Sequence, residues 1–205
     1  MAVEYRGCRN LVYAEVTGDD NEVSGGYVTG EVKPLAPVAE ISKTVETSSE
    51  AKYYDNVAAI VIDSEGSDTV TFTIAIPPDE TLADITGRIY DETKQMFIEA
   101  PRVNKYFAVG YILGEVGEGE QQKYVWRYKG TFGIPDETSA TKDNSTTSNN
   151  MSLTYTGIYT EHVFTNGGGT GKAAPAKAMA MRPSETVTET KFFEEVATPD
   201  TAFTE

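Results

Sequence analysis

Four features of this 205-residue chain could do chemistry: a lone histidine, a lone cysteine, a glycine-rich stretch ending in lysine, and clusters of acids. His162 lies between Glu161 and Val163. A general base needs a nucleophile to deprotonate, and no Ser or Cys in a recognisable nucleophile motif accompanies it. The favoured reading is a histidine at a strand end. Cys8 sits close to Arg6 and Arg9, cations that lower a thiol pKa. With no resolving cysteine or partner motif it reads instead as a buried, small apolar side chain. One cysteine allows no internal disulfide, and one cysteine with one histidine cannot assemble a zinc site within a chain.

Asn166-Gly-Gly-Gly-Thr-Gly-Lys172 resembles a phosphate-binding loop only superficially. Such a loop needs Gly-x4-Gly-Lys-Ser/Thr between a strand and a helix. Here Gly167-x3-Gly171-Lys172 is one residue short, and Ala173 stands where a hydroxyl would hold magnesium, so a flexible linker is expected. Asp19, Asp20 and Glu22, and Glu115, Glu118 and Glu120, lack the twelve-residue calcium-loop spacing with its central Gly and terminal Glu. They read as solvated loop acids. No catalytic residue, cofactor or metal is therefore expected, and the chain is not expected to be an enzyme.

The elements that would position these groups are mainly strands. Leu11–Thr17 is β-branched and aromatic, and a Gly/Asp/Asn turn follows it. In Thr69–Ile76, Val70, Phe72, Ile74 and Ile76 share one face while Thr69, Thr71, Thr73 and Ala75 share the other, so one face is core and the other is wet or contacts a partner. After Pro77-Pro78, the spacing of Leu82, Ile85 and Ile89 predicts one short amphipathic helix from Asp79 to about Tyr90, acidic in its first turn and weakened by Gly87. Tyr106–Leu113 and Lys123–Phe132 predict a hairpin. Its second arm puts Tyr124, Trp126 and Tyr128 on an aromatic face, opposite an outer face of Val125, Arg127 and Lys129. Residues 138–150 read as a polar loop, and another strand is expected over Met151–Thr160. With no βαβ rhythm, the fold class is mostly β: a β-sandwich or open barrel with one flanking helix, plus extended loop and terminal arms. The expected division is a β domain over 1–165, with an extended inter-subunit loop at about 34–56, and a Gly/Ala-rich linker and C-terminal arm over 166–205.

Composition narrows function further. Seventeen basic residues against 32 acids give a net charge of −15, which disfavours adhesive binding to nucleic acid. No apolar run approaches the roughly 18 to 20 residues that span a bilayer, and the N-terminus lacks a basic segment followed by an apolar core, so neither a membrane span nor a secretory signal is expected. From Lys33 to Asn56 the chain is polar and alternating, with Pro34 and Pro37 at its start. It reads as extended and poorly able to bury itself. The tail after residue 172 is split into a basic and an acidic part and is expected to order on contact.

The order of these features is similar to that of the major tail protein family, the tail-tube subunits of long, non-contractile-tailed bacteriophages. The resemblance rests on Asn10–Thr17, the aromatic-acid string Lys52-Tyr-Tyr-Asp-Asn56, the strand and helix over Asp68–Gly87, and the hairpin Tyr106–Tyr111 with Tyr124–Phe132. Pro135, Glu137, Thr141 and Lys142 follow, and Tyr-Val-Trp-x-Tyr-Lys-Gly-x-Phe is its most specific piece. It covers roughly residues 7–165 and thins in the tail.

The resemblance implies a structural protein of the virion, assembled in the host cytoplasm. Hexameric rings of this subunit would stack into a tube that encloses a tape-measure protein, joins tail-tip or baseplate and tail-terminator proteins, and conducts DNA without binding it. From the excess of negative charge, Asp or Glu side chains are expected to line such a lumen. Ser42, Thr44, Glu46, Lys52, Tyr53, Tyr54 and Asp55 are the candidate inter-subunit residues. The alternative is a β-sandwich carbohydrate-binding or capsid-decorating module that uses the Tyr/Trp hairpin as its contact surface.

Overall fold

Alternation of apolar and polar residues underlies most of the strands, and nine of the eleven among the described residues join in one antiparallel sheet. A computed structural model describes residues 5–20, 26–54, 57–114, 122–136 and 150–201. In chain order the elements are β1 (Cys8–Asp19), β2 (Tyr27–Thr29), β3 (Lys33–Pro34), β4 (Val38–Tyr54), β5 (Val57–Ala75), α1 (Asp79–Thr86), β6 (Ile89–Asp91) and β7 (Met96–Ile98). β8 (Phe107–Leu113), β9 (Lys123–Phe132), β10 (Asn150–Ile158), β11 (Ala178–Met181) and α2 (Glu189–Glu194) complete the fold. The main sheet runs β2-β1-β8-β9-β10-β5-β4, curled into a half-barrel, with β3 beside β1 and β11 beside β9. β6 and β7 form a separate small sheet.

The sheet is covered on two sides, which a sandwich of one sheet on another would not require. On its first face Val70, Phe72 and Ile74 of β5 meet Leu153 and Tyr155 of β10, Phe107 and Val109 of β8, and Leu82 and Ile85 of α1. On its second face Val12, Ala14, Ala108, Ile112, Tyr124, Trp126 and Tyr128 are roofed by Phe164, Phe192, Phe193 and Val196 from the C-terminal part. β8 is buried along almost its whole length because it contributes to both cores. Gly110 is required there: a Cβ would stand 2.9 Å from the Trp126 ring and from Val12 Cγ2. The space a side chain would fill belongs to the indole.

Several elements differ from the sequence expectation for identifiable reasons. The helix ends at Thr86 because Gly87 adopts φ +68° and closes it with N–H bonds to Ala83 and Asp84 carbonyls. Ile89 therefore lies on β6 and is exposed, outside the helical stripe. A register shift between β8 and β9, where Phe107↔Gly130 is followed by Val109↔Arg127, changes which β9 residues face the first core, so Gly130 and Phe132 continue the face of Val125 and Arg127. Arg127 and Lys129, expected on an outer charged face, are instead buried and paired.

The tail, expected to order only on contact, packs within the chain itself. β11 extends the edge of β9 beyond the point where β10 leaves it, Ala178↔Arg127 following Ile158↔Lys129. α2, the second helix, is capped by Thr188 and puts Phe192 and Phe193 on the aromatic face of β9. The expected polar loop from 138 falls almost wholly outside the described residues, as do Glu22, Glu115, Glu118 and Glu120.

Candidate assembly surface

The polar stretch expected as a loop forms β4, and its partner is β5. Val38↔Ile74 opens a ladder that runs, with three register shifts, to Tyr54↔Val57. β10 accompanies β5 only as far as Gly157↔Asp68. Beyond that point β4 and β5 continue alone over eight pairs, from Thr47↔Glu65 to Tyr54↔Val57, a ribbon about 25 Å long at ~3.3 Å per residue. Thr, Val and Ile favour the extended backbone here, but the ribbon has no sheet to lie on. Ile60, Val61 and Ile62 are 50%, 59% and 50% exposed, and alternation points Val61 to the opposite side from its neighbours. The outer edge of β4 is unpaired among the described residues. A two-stranded ribbon is at best marginal in water by itself, and an open edge is a template for another strand.

The candidate interface residues fall into two groups. Ser42 and Thr44 sit near the body, opposite Thr71 and Thr69, and those two threonines face Thr154 and Thr156 of β10. Glu40 and Thr73 with Ser152 add a third row. This grid of hydroxyls carries one acid and no base, lies opposite the first core, and its β4 residues are exposed. Glu46 marks the root of the arm, where it accepts a hydrogen bond from Ser67. Lys52 lies near the tip and pairs with Glu50. Tyr53 and Tyr54 close the ladder through their backbones, while their side chains, and Asp55 entirely, lie outside the described residues.

Three charge clusters that sequence reading missed hold this architecture. Asp68 on β5, buried, pairs with Lys43 at 3.1 Å, Arg127 at 2.9 Å and Lys177 at 3.1 Å. Burial would raise its carboxyl pKa, but the hydrogen bonds from these three cations outweigh it and hold the pKa below the usual value. Asp19, expected as a solvated loop acid, is instead paired with Lys129 at 2.7 Å and accepts the backbone N–H groups of Glu161 and His162. Its pKa is lowered too, burial opposing and those bonds prevailing. Asp84 on α1 accepts from Tyr13, Lys33 and Lys105, tying the helix to β1 with the same net effect. All are long-range pairs, so no local motif announces them.

The residues weighed for catalysis are not assembled for it. The His162 ring meets the Asp20 carbonyl through Nδ1 and the edge of Phe164, and no Ser or Cys hydroxyl or thiol bonds it in the described structure. Burial, then the nearby Glu40 charge, push the Cys8 thiol pKa up, the opposite of what a reactive thiolate needs. Asn166 uses its side-chain carbonyl to accept from Gly171, and Asp200 accepts the N–H groups of Thr165 and Asn166, so the glycine-rich stretch closes on the chain's own groups. An open groove of 660 Å³ runs between Tyr27–Val32 and Glu194–Thr201, lined by Glu31, Glu194, Glu195 and Asp200 and, among the described residues, by no Lys or Arg. Among the described residues no three His, Cys, Asp or Glu side chains converge on a metal-sized point, and no helix is long and apolar enough to cross a membrane. No family model matches the chain, and no curated protein matches it.

Proposed function

We propose that this chain is a structural subunit that polymerises with copies of itself, and that the polymer is the tail tube of a long-tailed bacteriophage: stacked, hexameric rings around a tape-measure protein, later a conduit for DNA. The observation that carries self-assembly is the β4–β5 arm, which leaves the sheet with both faces exposed, an apolar run near its tip and a free strand edge. Such a ribbon is completed by a neighbour, and a head-to-tail contact of one surface with a different one generates rings or tubes rather than closed pairs. The step from polymer to tail tube rests on the resemblance of residues 7–165 to the tail-tube family. A hydroxyl-rich face with no base, on a chain of net charge −15, suits a wall along which a polyanion slides.

In this reading the protein is not an enzyme and takes no cofactor. Tail-tip or baseplate and tail-terminator proteins bound the tube, and the virion is its location. The glycan-binding alternative loses support, because Trp126 and Tyr128 are 0% exposed and Tyr124 4%, so the aromatic stripe of β9 is not a free contact face.

Negative-stain microscopy of the purified full chain tests the proposal, alone and with its tape-measure and tail-tip proteins. Rings or tubes with a central channel are expected, and six-fold averages would fix the ring number. A protein that stays monomeric in every mixture would refute self-assembly. Polymers without a channel would refute the tube and leave assembly standing.

A further inference from the structure

We propose that the buried charge cluster centred on Asp68 is a positioning site that sets the direction in which the β4–β5 arm leaves the body. The cluster sits where the ladder drops from three strands to two, since Gly157↔Asp68 is the last pair of β10 with β5. At the same level the β4–β5 register shifts between Val45 and Thr47, and such irregularities bend a strand. A two-stranded ribbon leaving the sheet at a bulge would swing about it unless something held it.

The cations gathered on Asp68 come from three parts of the chain, Lys43 from β4, Arg127 from β9, and Lys177 from the segment entering β11, and of the three Lys177 reaches the arm. Lys177 spans the junction. Its Nζ donates to Asp68 Oδ1 at 3.1 Å on the body side, and to Glu65 Oε1 at 2.6 Å and the Gly66 carbonyl at 2.8 Å on the arm side. The same ammonium lies 4.6 Å from the centre of the Tyr159 ring, whose hydroxyl reaches Glu65 at 3.5 Å. Among the described hydrogen bonds and ion pairs, these are the ones that tie arm residues beyond Ser67 to the body.

A buried ion cluster is a poor way to gain stability, because apolar side chains of similar volume do as well or better. Its distinctive property is direction, since each charge-assisted hydrogen bond has a narrow range of length and angle. A pre-aimed arm loses less conformational freedom when it docks. The inference goes beyond the tail-tube reading and does not depend on it, since an arm that docks on any neighbour gains from being aimed.

Pulsed electron-spin distance measurement tests it, with labels at Ser49→Cys on the arm and Glu92→Cys on the body in a Cys8→Ser background. Labelled full-length protein is diluted into unlabelled protein so that distances within one chain are read. The parent should give one narrow distance distribution. Lys177→Met, which leaves Asp68 its Lys43 and Arg127 partners, should broaden it at least two-fold, and Lys177→Arg should restore the narrow distribution. Glu65→Gln removes the arm-side charge while the Gly66 carbonyl still accepts from Lys177, and should broaden it by less. Should Lys177→Met fail to fold, Glu65→Gln decides. A parent-like width in the folded variants would overturn the proposal whether or not the protein forms tubes.

Discussion

At the scale of single residues, Trp126 joins the two halves of the second core. Its indole is fully buried, packs on Phe193 and donates through Nε1 to the Phe192 carbonyl at 2.8 Å. Trp126→Ala removes that packing and leaves a buried carbonyl unmade, so denaturant titration should show a loss of about 3–5 kcal/mol. Protease should then cut first between 178 and 201, where α2 has lost its seat. Gly87 fails differently: at φ +68°, an added Cβ would lie 2.0 Å from the Val103 carbonyl oxygen. Gly87→Ala should cost on the order of 1–3 kcal/mol by the same titration, through backbone strain and displacement of the Val103 segment. The aromatic stripe was legible in the sequence at this scale because it repeats every second residue. The burial of Arg127 and Lys129 was not, because their partners Asp68 and Asp19 are 59 and 110 positions away in the chain.

At the scale of elements, the arm is the feature with consequences for assembly. Replacing both Ile60 and Ile62 by Asp puts charges on a ribbon that touches no core, so melting temperature should change by no more than a few degrees. If the arm is the docking element, the same double variant should abolish polymer in sedimentation and microscopy. Polymer formed at the parent's rate would show that copies meet elsewhere. Sequence alternation identified the body half of β5, read as Thr69–Ile76, the β8–β9 pair and β10, and composition marked 33–56 as extended and unburiable. What it left open was the partner. A strand whose both faces are wet gives no core-facing stripe to read, and the ladder with β5 is defined only once the two segments fold back on each other.

At the scale of the whole molecule, Asp19, Asp68 and Asp84 join distant elements, and each has its pKa lowered in the folded state. The sign follows from linkage. A carboxyl whose folded pKa lies below its unfolded value of about 3.9 contributes fully above that value and loses its contribution as pH falls through the folded pKa. Urea stability should therefore change little between pH 7 and 5 on account of these groups and fall steeply below about pH 4. Asp84→Asn should flatten that fall, and an acid limb as steep as the parent's would remove Asp84 from the account. Within a polymer the excess of 15 negative charges also repels between copies, so tube formation should speed up as salt rises from 0.01 to 0.15 M, read by light scattering. A rate that falls with salt would mean that attractive pairs across the contact dominate.

By itself the sequence determined the mostly-β class, the position of the first helix, the strands of the central hairpin, and the absence of a recognisable nucleophile or metal motif. These depend on periodicity, turn chemistry and residue identity over a few neighbours, which are local properties. Only the tertiary structure decided that the sheet is covered on both sides, that the C-terminal segment roofs Trp126, and that the arm runs on past the end of β10, beyond an ion cluster at its root. Each of these depends on which distant segments share a surface, and a charge or an aromatic ring carries no mark in the chain of the partner that will bury it.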